Sequence, residues 1–318
     1  MLIREAVILA AGLGLRMRPI TERVPKPALP YLNRPLLHWT LDGLRASGVE
    51  RVLINLHHLP QSVKSAAESA ASGLDLRFSF EPEILGTAGV FGPLRGLLQG
   101  DAFLVVNGDV VHEVPYGRLA AGLAAHAEAL AVLALRPAQT PYTPVAMDGE
   151  GHITAFGSGS WMFSGIYAAR RKLLDHLPGP GPRELVPDLL RPLLPSGAVR
   201  GEVFSEPWLD LGTPETYLRA SLAALPPMAR GILAAPGESI IETRDGHALL
   251  RHRTAWVSRD ATLTGSVVAG EDVKVEARAH VGRTVLLPGV RIAQGQWIED
   301  GIAQIADGQV RLVKVSAP

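Results

Sequence analysis

Short apolar runs alternate with amphipathic stretches over the first 220 residues of the chain. The runs at 6–10, 52–56, 76–80, 103–106 and 130–135 have little polar interruption, which predicts strands buried on both faces of a mostly parallel sheet. Between them, 35–46, 60–71, 87–98 and 117–127 have helical spacing, with Asn33 placed to cap the first. This alternation predicts an α/β domain with a doubly wound sheet and a ligand site at the carboxyl ends of its strands. Shorter, more alternating segments at 142–147, 152–156, 161–168 and 198–204 predict antiparallel strands beside that sheet, and 213–224 a closing helix.

From about residue 255 the period changes. Val257, Leu263, Val267, Val273, Val281, Val285, Val290 and Ile292 recur at intervals near six or its multiples, with Ala261, Gly265, Ala277 and Gly289 among them. A six-residue period fits neither a helix nor a hairpin and predicts a β-solenoid of two to three coils; an irregular meander is the alternative. With Leu225-Pro226-Pro227 as the break, the expected organisation is a first domain over 1–225, a linker over 226–254 and a repeat domain over 255–318. A stack this short is expected to lean on another domain or on a second subunit, so a homo-oligomer is expected.

The 318 residues agree with about two domains, and 31 basic against 31 acidic side chains leave no net charge to attract nucleic acid or a membrane surface. Any polyanion bound is expected to be small. The absence of cysteine excludes disulfides, Zn-thiolate sites and Fe–S clusters. The opening residues lack a signal-peptide pattern, and the most apolar later stretch is broken by His126 and Glu128, so a cytoplasmic protein without a membrane span is expected.

Candidate chemistry begins at Leu9-Ala10-Ala11-Gly12-Leu13-Gly14-Leu15-Arg16, followed by Pro25-Lys26-Pro27. A strand running into small residues and two glycines lets backbone N–H groups approach phosphates, and Arg16 and Lys26 can neutralise them. It is not a Walker A loop, and Met17 stands where a Rossmann fingerprint needs its third glycine. Asp109 follows an Asn-Gly pair at a strand end, and Asp210 precedes Gly212-Thr213-Pro214. Two carboxylates beside phosphate oxygens suit Mg²⁺, whereas singly they could be a turn residue and a helix cap. His57 and His58 are adjacent on a strand and point to opposite faces, so one ion does not take both. Trp297 is expected to pack rather than bind.

These residues resemble the sugar-1-phosphate nucleotidylyltransferases, a family that includes mannose-1-phosphate guanylyltransferases. Besides the opening and Pro-Lys-Pro, the matches are Glu81 with Leu85-Gly86-Thr87-Ala88-Gly89, Asn107-Gly108-Asp109, Phe163-Ser164-Gly165-Ile166-Tyr167, and Trp208-Leu209-Asp210-Leu211-Gly212-Thr213-Pro214. The likeness runs from residue 1 to about 222, and the six-residue repeat extends it along the chain. It implies a nucleotide-diphospho-sugar transferase fold with a short C-terminal left-handed β-helix-like domain. It also implies a reaction between a nucleoside triphosphate and a sugar 1-phosphate. Arg16, Lys26, Asp109 and Asp210 would be catalytic, the two aspartates holding Mg²⁺; Leu9, Ala10, Ala11, Gly12, Gly14, Glu81, Gly86, Thr87 and Gly108 would bind the nucleotide; Gly165 and Glu184 would bind the sugar.

Glu81 only accepts hydrogen bonds, and guanine offers two donors on one edge, which leans towards GTP; with the resemblance, GTP and mannose 1-phosphate are the leading pair. A uridylyl- or thymidylyltransferase is the alternative. Two departures stand out. Leu15 replaces a family Thr or Ser, and the Glu-Lys-Pro lysine that binds sugar phosphate is absent from Phe156-Gly157-Ser158-Gly159-Ser160. The N-acetylmuramate-1-phosphate uridylyltransferases are similar in the second respect. Both departures leave open a silent subunit that senses an NDP-sugar.

Overall fold

The strand Glu5–Leu9 lies at the heart of the predicted sheet in a computed structural model that describes residues 2–315. It pairs in parallel with Arg51–Leu56 on one side and Ala102–Asn107 on the other, and Arg51–Leu56 pairs in parallel with Asp75–Phe80. Side chains alternate between two cores. Val7, Leu53, Phe103 and Val105 fill one face, while Ala6, Ile8, Val52, Ile54, Leu104 and Val106 fill the other. Burial on both faces is why these runs carry no polar alternation.

The fold class is the expected α/β one, with a difference in strand order. Trp161–Arg170 does not lie beside the sheet but enters it antiparallel, between Ala102–Asn107 and Ala131–Pro137. Val199–Val203 continues the sheet parallel to Ala131–Pro137, and Pro144–Met147 with Ile153–Phe156 extend it past the start of the long strand. The helices Leu36–Ala46, Pro60–Ser69 and Tyr116–Ala125 form as expected, whereas 87–98 holds two short helices, Gly86–Gly89 and Phe91–Leu94. Asn33 does not cap a helix. With Leu32 it forms the left-handed two-residue turn (φ 65° and 53°) of a hairpin between Pro30–Tyr31 and Arg34–Pro35.

By packing, the chain falls into two units. The first comprises the residues up to Leu13 and Leu37–Trp208, and so contains the sheet; the second joins Gly14–Leu36 to the chain from Leu209 onward. In the second unit the six-residue period becomes a solenoid with three strand columns. Trp256 lies opposite Lys274 and Lys274 opposite Arg291; Thr262 lies opposite His280 and His280 opposite Trp297; Val267 lies opposite Thr284 and Thr284 opposite Gly301. Each coil is therefore three hexads or one residue fewer, and Val257, Leu263, Val275, Val281, Ile292 and Ile298 fill the interior.

Part of the segment expected as a linker is structured. Ser239–Arg244 and His247–His252 form an antiparallel hairpin whose second strand pairs with Val267–Ala269, and Gln309–Lys314 pairs antiparallel at the opposite edge. Both additions cover strand edges that the parallel coils would leave open. Helix Pro214–Ala223 starts at a Thr213/Thr216 capping box and packs on the solenoid strands. Tyr217 Oη donates to Pro30 O, Asn33 Nδ2 donates to Ser239 Oγ (3.3 Å), and Arg23 pairs with Asp307, so the N-terminal segment is bound into this unit. Trp297 is not part of the packed interior: it is 64% exposed and stacks on the His280 ring at 3.3 Å.

Candidate active site

In the first unit, candidate residues collect at the carboxyl ends of the parallel strands. Glu5–Leu9 runs into Ala10 and Ala11, both buried, and the exposed Gly12, where a Cβ would meet no protein atom within 4 Å. Gly108 N donates to Leu9 O (2.9 Å), and a Cβ on Gly108 would lie 3.0 Å from that oxygen, so glycine is what lets the two strand ends approach. Half-buried Asp109 follows directly.

Glu81 is held inside the fold. It is 1% exposed and both carboxylate oxygens are engaged: Asn55 Nδ2 donates to Oε1 (2.8 Å) and Leu85 N to Oε2 (3.0 Å). The amide oxygen of Asn55 accepts from Ala10 N (2.7 Å), and the His57 ring bonds through Nδ1 to Glu81 O (2.8 Å). Glu81 thus ties the start of the Gly86-Thr87 loop to the strand ends. Asn55 was not among the candidates. The available signal was a lone amide within the apolar run at 52–56, since a polar group buried in a strand needs partners.

Gly86 (φ 74°) has no room for a side chain, because a Cβ would come within 2.5 Å of Arg183 O. Thr87 Oγ1 donates to Glu184 Oε2 (2.7 Å) and accepts from Leu185 N (2.7 Å), so the exposed Glu184 is oriented by the same loop. Gly165 (φ 81°) would place a Cβ 2.3 Å from Asn107 Nδ2. The glycine therefore makes space for the side chain two residues before Asp109, where the sequence suggested space for a ligand ring. The register of Trp161–Arg170 shifts here, and Trp208 Nε1 donates to Ser164 O (3.1 Å).

The second unit holds the cations. Gly14 (φ 61°) starts a 3₁₀ turn, Leu15–Met17; Thr21 Oγ1 donates to Gly14 O (2.8 Å), while Leu15 is exposed. Lys26, at the start of the 3₁₀ turn Lys26–Ala28, is 5% exposed and donates from Nζ to Asp210 Oδ1 (3.3 Å). Arg16 Nη2 lies 3.8 Å from Asp210 Oδ2 and is solvent-facing. A Cβ at Gly212 would fall 2.7 Å from that guanidinium and 2.8 Å from Asp210 Oδ1, so the Asp-Leu-Gly turn is shaped around the ion pairs. Asp210 is thus a carboxylate with two cations at hand.

Among the described residues no three His, Cys, Asp or Glu side chains converge to hold a metal. Asp109 in the first unit and Asp210 in the second are each single carboxylates, a ligand type that hard cations such as Mg²⁺ accept. No helix among the described residues is long and apolar enough to cross a membrane.

Residues 5–225 match the family model described as nucleotidyl transferase. The chain is 29% identical over 308 residues to a mannose-1-phosphate guanylyltransferase of Mycobacterium tuberculosis, covering 93% of this chain and 83% of that protein. It is 33% identical over 216 residues to an N-acetylmuramate alpha-1-phosphate uridylyltransferase of Neisseria meningitidis, covering 66% of this chain and 93% of that one. The fold matches HddC from Yersinia pseudotuberculosis with a TM-score of 0.61 at 22% identity, over 69% of this chain and 98% of that structure. A match across two thirds of the sequence, on a sheet whose strand ends carry the expected motifs, assigns the chain to the nucleotidyl transferase family.

Proposed function

We propose that the protein joins a sugar 1-phosphate to the nucleoside monophosphate part of a nucleoside triphosphate, forming an NDP-sugar and releasing pyrophosphate. The Lys26–Asp210 pair flanked by Arg16 carries this reading, because it gathers two cations at one carboxylate in a chain without net charge. The nucleophile, a phosphate oxygen, is already an anion, so no general base is required. The barrier lies in bringing two polyanions together and in the charge that builds on pyrophosphate, which positioning and fixed cations lower.

Lys26, buried and held by its turn, is assigned to the α-phosphate; the exposed Arg16 is assigned to the rest of the triphosphate. Asp109 and Asp210 would hold Mg²⁺, which when bound neutralises phosphate oxygens and the leaving group. Leu9, Ala10, Ala11, Gly12 and Gly14 are assigned to the triphosphate, Gly86, Thr87 and Gly108 to the nucleoside, and Glu184 to sugar hydroxyls. Glu81 moves from base recognition to positioning Leu85 and Asn55, and Gly165 to positioning Asn107.

GTP and mannose 1-phosphate are the proposed pair. Support comes from the relative carrying that name, which aligns along the solenoid as well as the catalytic region. Pyrophosphate release, measured with Mg²⁺ over a grid of four nucleoside triphosphates against sugar 1-phosphates, tests both levels. Highest turnover with GTP and mannose 1-phosphate is expected. A different best pair replaces the substrates, and no turnover in any cell, together with tight NDP-sugar binding, replaces the enzyme by a sensing subunit.

A further inference from the structure

His57 follows directly on the strand Arg51–Leu56, within the first unit. Leu56 lies opposite Phe80, and Glu81 N donates to Leu56 O (2.8 Å), so His57 stands level with Glu81. On the other side of the strand Ile8 lies opposite Ile54, and Ala10 N donates to the Asn55 amide oxygen (2.7 Å), so the chain enters the Ala10–Gly12 loop beside this strand end. Leu53, Asn55 and His57 alternate onto one face of the sheet, and Ala88 and Leu185 pack with Leu53 in the core of that face. His57 therefore stands on the side that carries the helix Gly86–Gly89, between two segments that the proposed reaction assigns to the nucleotide.

The imidazole is fixed through one nitrogen. Nδ1 lies 2.8 Å from Glu81 O, a carbonyl that only accepts, so Nδ1 carries the hydrogen and donates it. In the neutral ring Nε2 is then a bare lone pair. It makes no hydrogen bond among the described residues, and in this half-buried side chain it is not one of the buried atoms left unpaired, so it is open to solvent. Glu81 and the oxygen of Asn55 already accept hydrogen bonds inside the fold, whereas the Nε2 acceptor is held in place and unused.

An acceptor whose tautomer is set by the backbone can sort nucleobases by their ring nitrogen. Guanine N1 and uracil or thymine N3 carry a hydrogen; adenine N1 and cytosine N3 carry a lone pair on the same edge. We propose that His57 is a specificity-determining residue for the base: Nε2 accepts the ring N–H of guanine, uracil or thymine, and it disfavours adenine and cytosine by setting lone pair against lone pair. The inference rests on the nucleotide reading given above, and it selects a class of bases rather than one member of it.

The test is calorimetric titration of the full chain with GTP, UTP, ATP and CTP separately, in Mg²⁺ and without sugar phosphate. Asparagine reproduces Nδ1 and not Nε2, so His57→Asn keeps a donor for Glu81 O and removes the acceptor, while His57→Gln returns an oxygen near the place of Nε2. Wild type is expected to bind GTP and UTP at least about tenfold more tightly than ATP and CTP. In His57→Asn that preference should fall below about threefold at an unchanged melting temperature, and His57→Gln should recover part of it. His57→Phe, which keeps a ring without nitrogens, takes the place of His57→Asn if the latter does not fold. An unchanged preference in the variant, or an equal loss of affinity for all four nucleotides, overturns the proposal. Wild type that binds all four alike overturns this inference alone, and wild type that binds none of them overturns the nucleotide reading beneath it.

Discussion

The side-chain amide of Asn55 joins Glu81 to Ala10: its nitrogen donates to Glu81 Oε1 at 2.8 Å and its oxygen accepts from Ala10 N at 2.7 Å. Three strand ends are thereby fixed by one buried pair. Glu81→Gln keeps the shape and should leave the ratio of kcat/KM for GTP over UTP unchanged, whereas a base-reading carboxylate would lose about tenfold or more of that ratio. Glu81→Ala leaves buried donors on Asn55 and Leu85 unpaired and should cost about 1–3 kcal/mol in denaturant unfolding.

Lys26 and Arg16 share Asp210 but not its burial. Lys26→Met should lower kcat by roughly 10²–10³-fold. Its cost in stability should fall below the roughly 3–5 kcal/mol of a fully buried broken pair, because Arg16 remains 3.8 Å from the carboxylate. Arg16→Ala, at an exposed position, should change stability by less than about 0.5 kcal/mol while raising KM for the triphosphate. Steady-state kinetics beside chemical denaturation separate the two.

Removing divalent cation with a chelator should stop turnover, and Asp109→Asn or Asp210→Asn should do nearly the same with the far-UV circular dichroism intact. Wild-type rates in either variant would cancel that residue's assignment to the metal.

Gly165→Ala forces a left-handed backbone (φ 81°) onto a side chain whose Cβ meets Asn107 at 2.3 Å. About 1–3 kcal/mol of stability should be lost, with turnover falling further because Asn107 leads directly to Gly108 and Asp109. Thermal unfolding and kcat of one preparation check both.

Acid should act on the units in sequence. Burial pulls the His112 imidazole from 6.5 down to about 4, so its neutral form is the folded one. The unfolded chain takes up the proton first, and stability is lost as pH falls from 6.5 to about 4. Glu299 is held at about 2, below its usual 4.5, first by the Thr264 hydroxyl and then by Trp297 and His280, so its contribution is present above pH 4.5 and is lost as pH falls to about 2. Calorimetric melting between pH 7 and pH 2 should show the first window flattened in His112→Gln and the second in Glu299→Gln.

The parallel strands were legible because both faces of the sheet are buried, which writes an uninterrupted apolar run into each. The solenoid was legible because stacking in register demands a hexad. The insertion of Trp161–Arg170 between Ala102–Asn107 and Ala131–Pro137 was not, since strand neighbours are chosen by pairing at long range and its alternation fits an edge as well as an interior place. The Asn55–Glu81 bond was hidden for a related reason: a carboxylate just past a strand looks the same whether it faces a ligand or an amide. The hairpin at 239–252 was hidden because its apolar positions follow no hexad.

The packing of Gly14–Leu36 with the chain beyond Leu209 has a consequence for the order of events during synthesis. The loop bearing Arg16 and Lys26 is made well before Asp210, Tyr217, Ser239 and Asp307, which hold it. A nascent chain that has reached Trp208 already has every strand of its central sheet but none of these four residues. A product that stopped there would keep Arg16 and Lys26 but lack the residues that hold their loop in place.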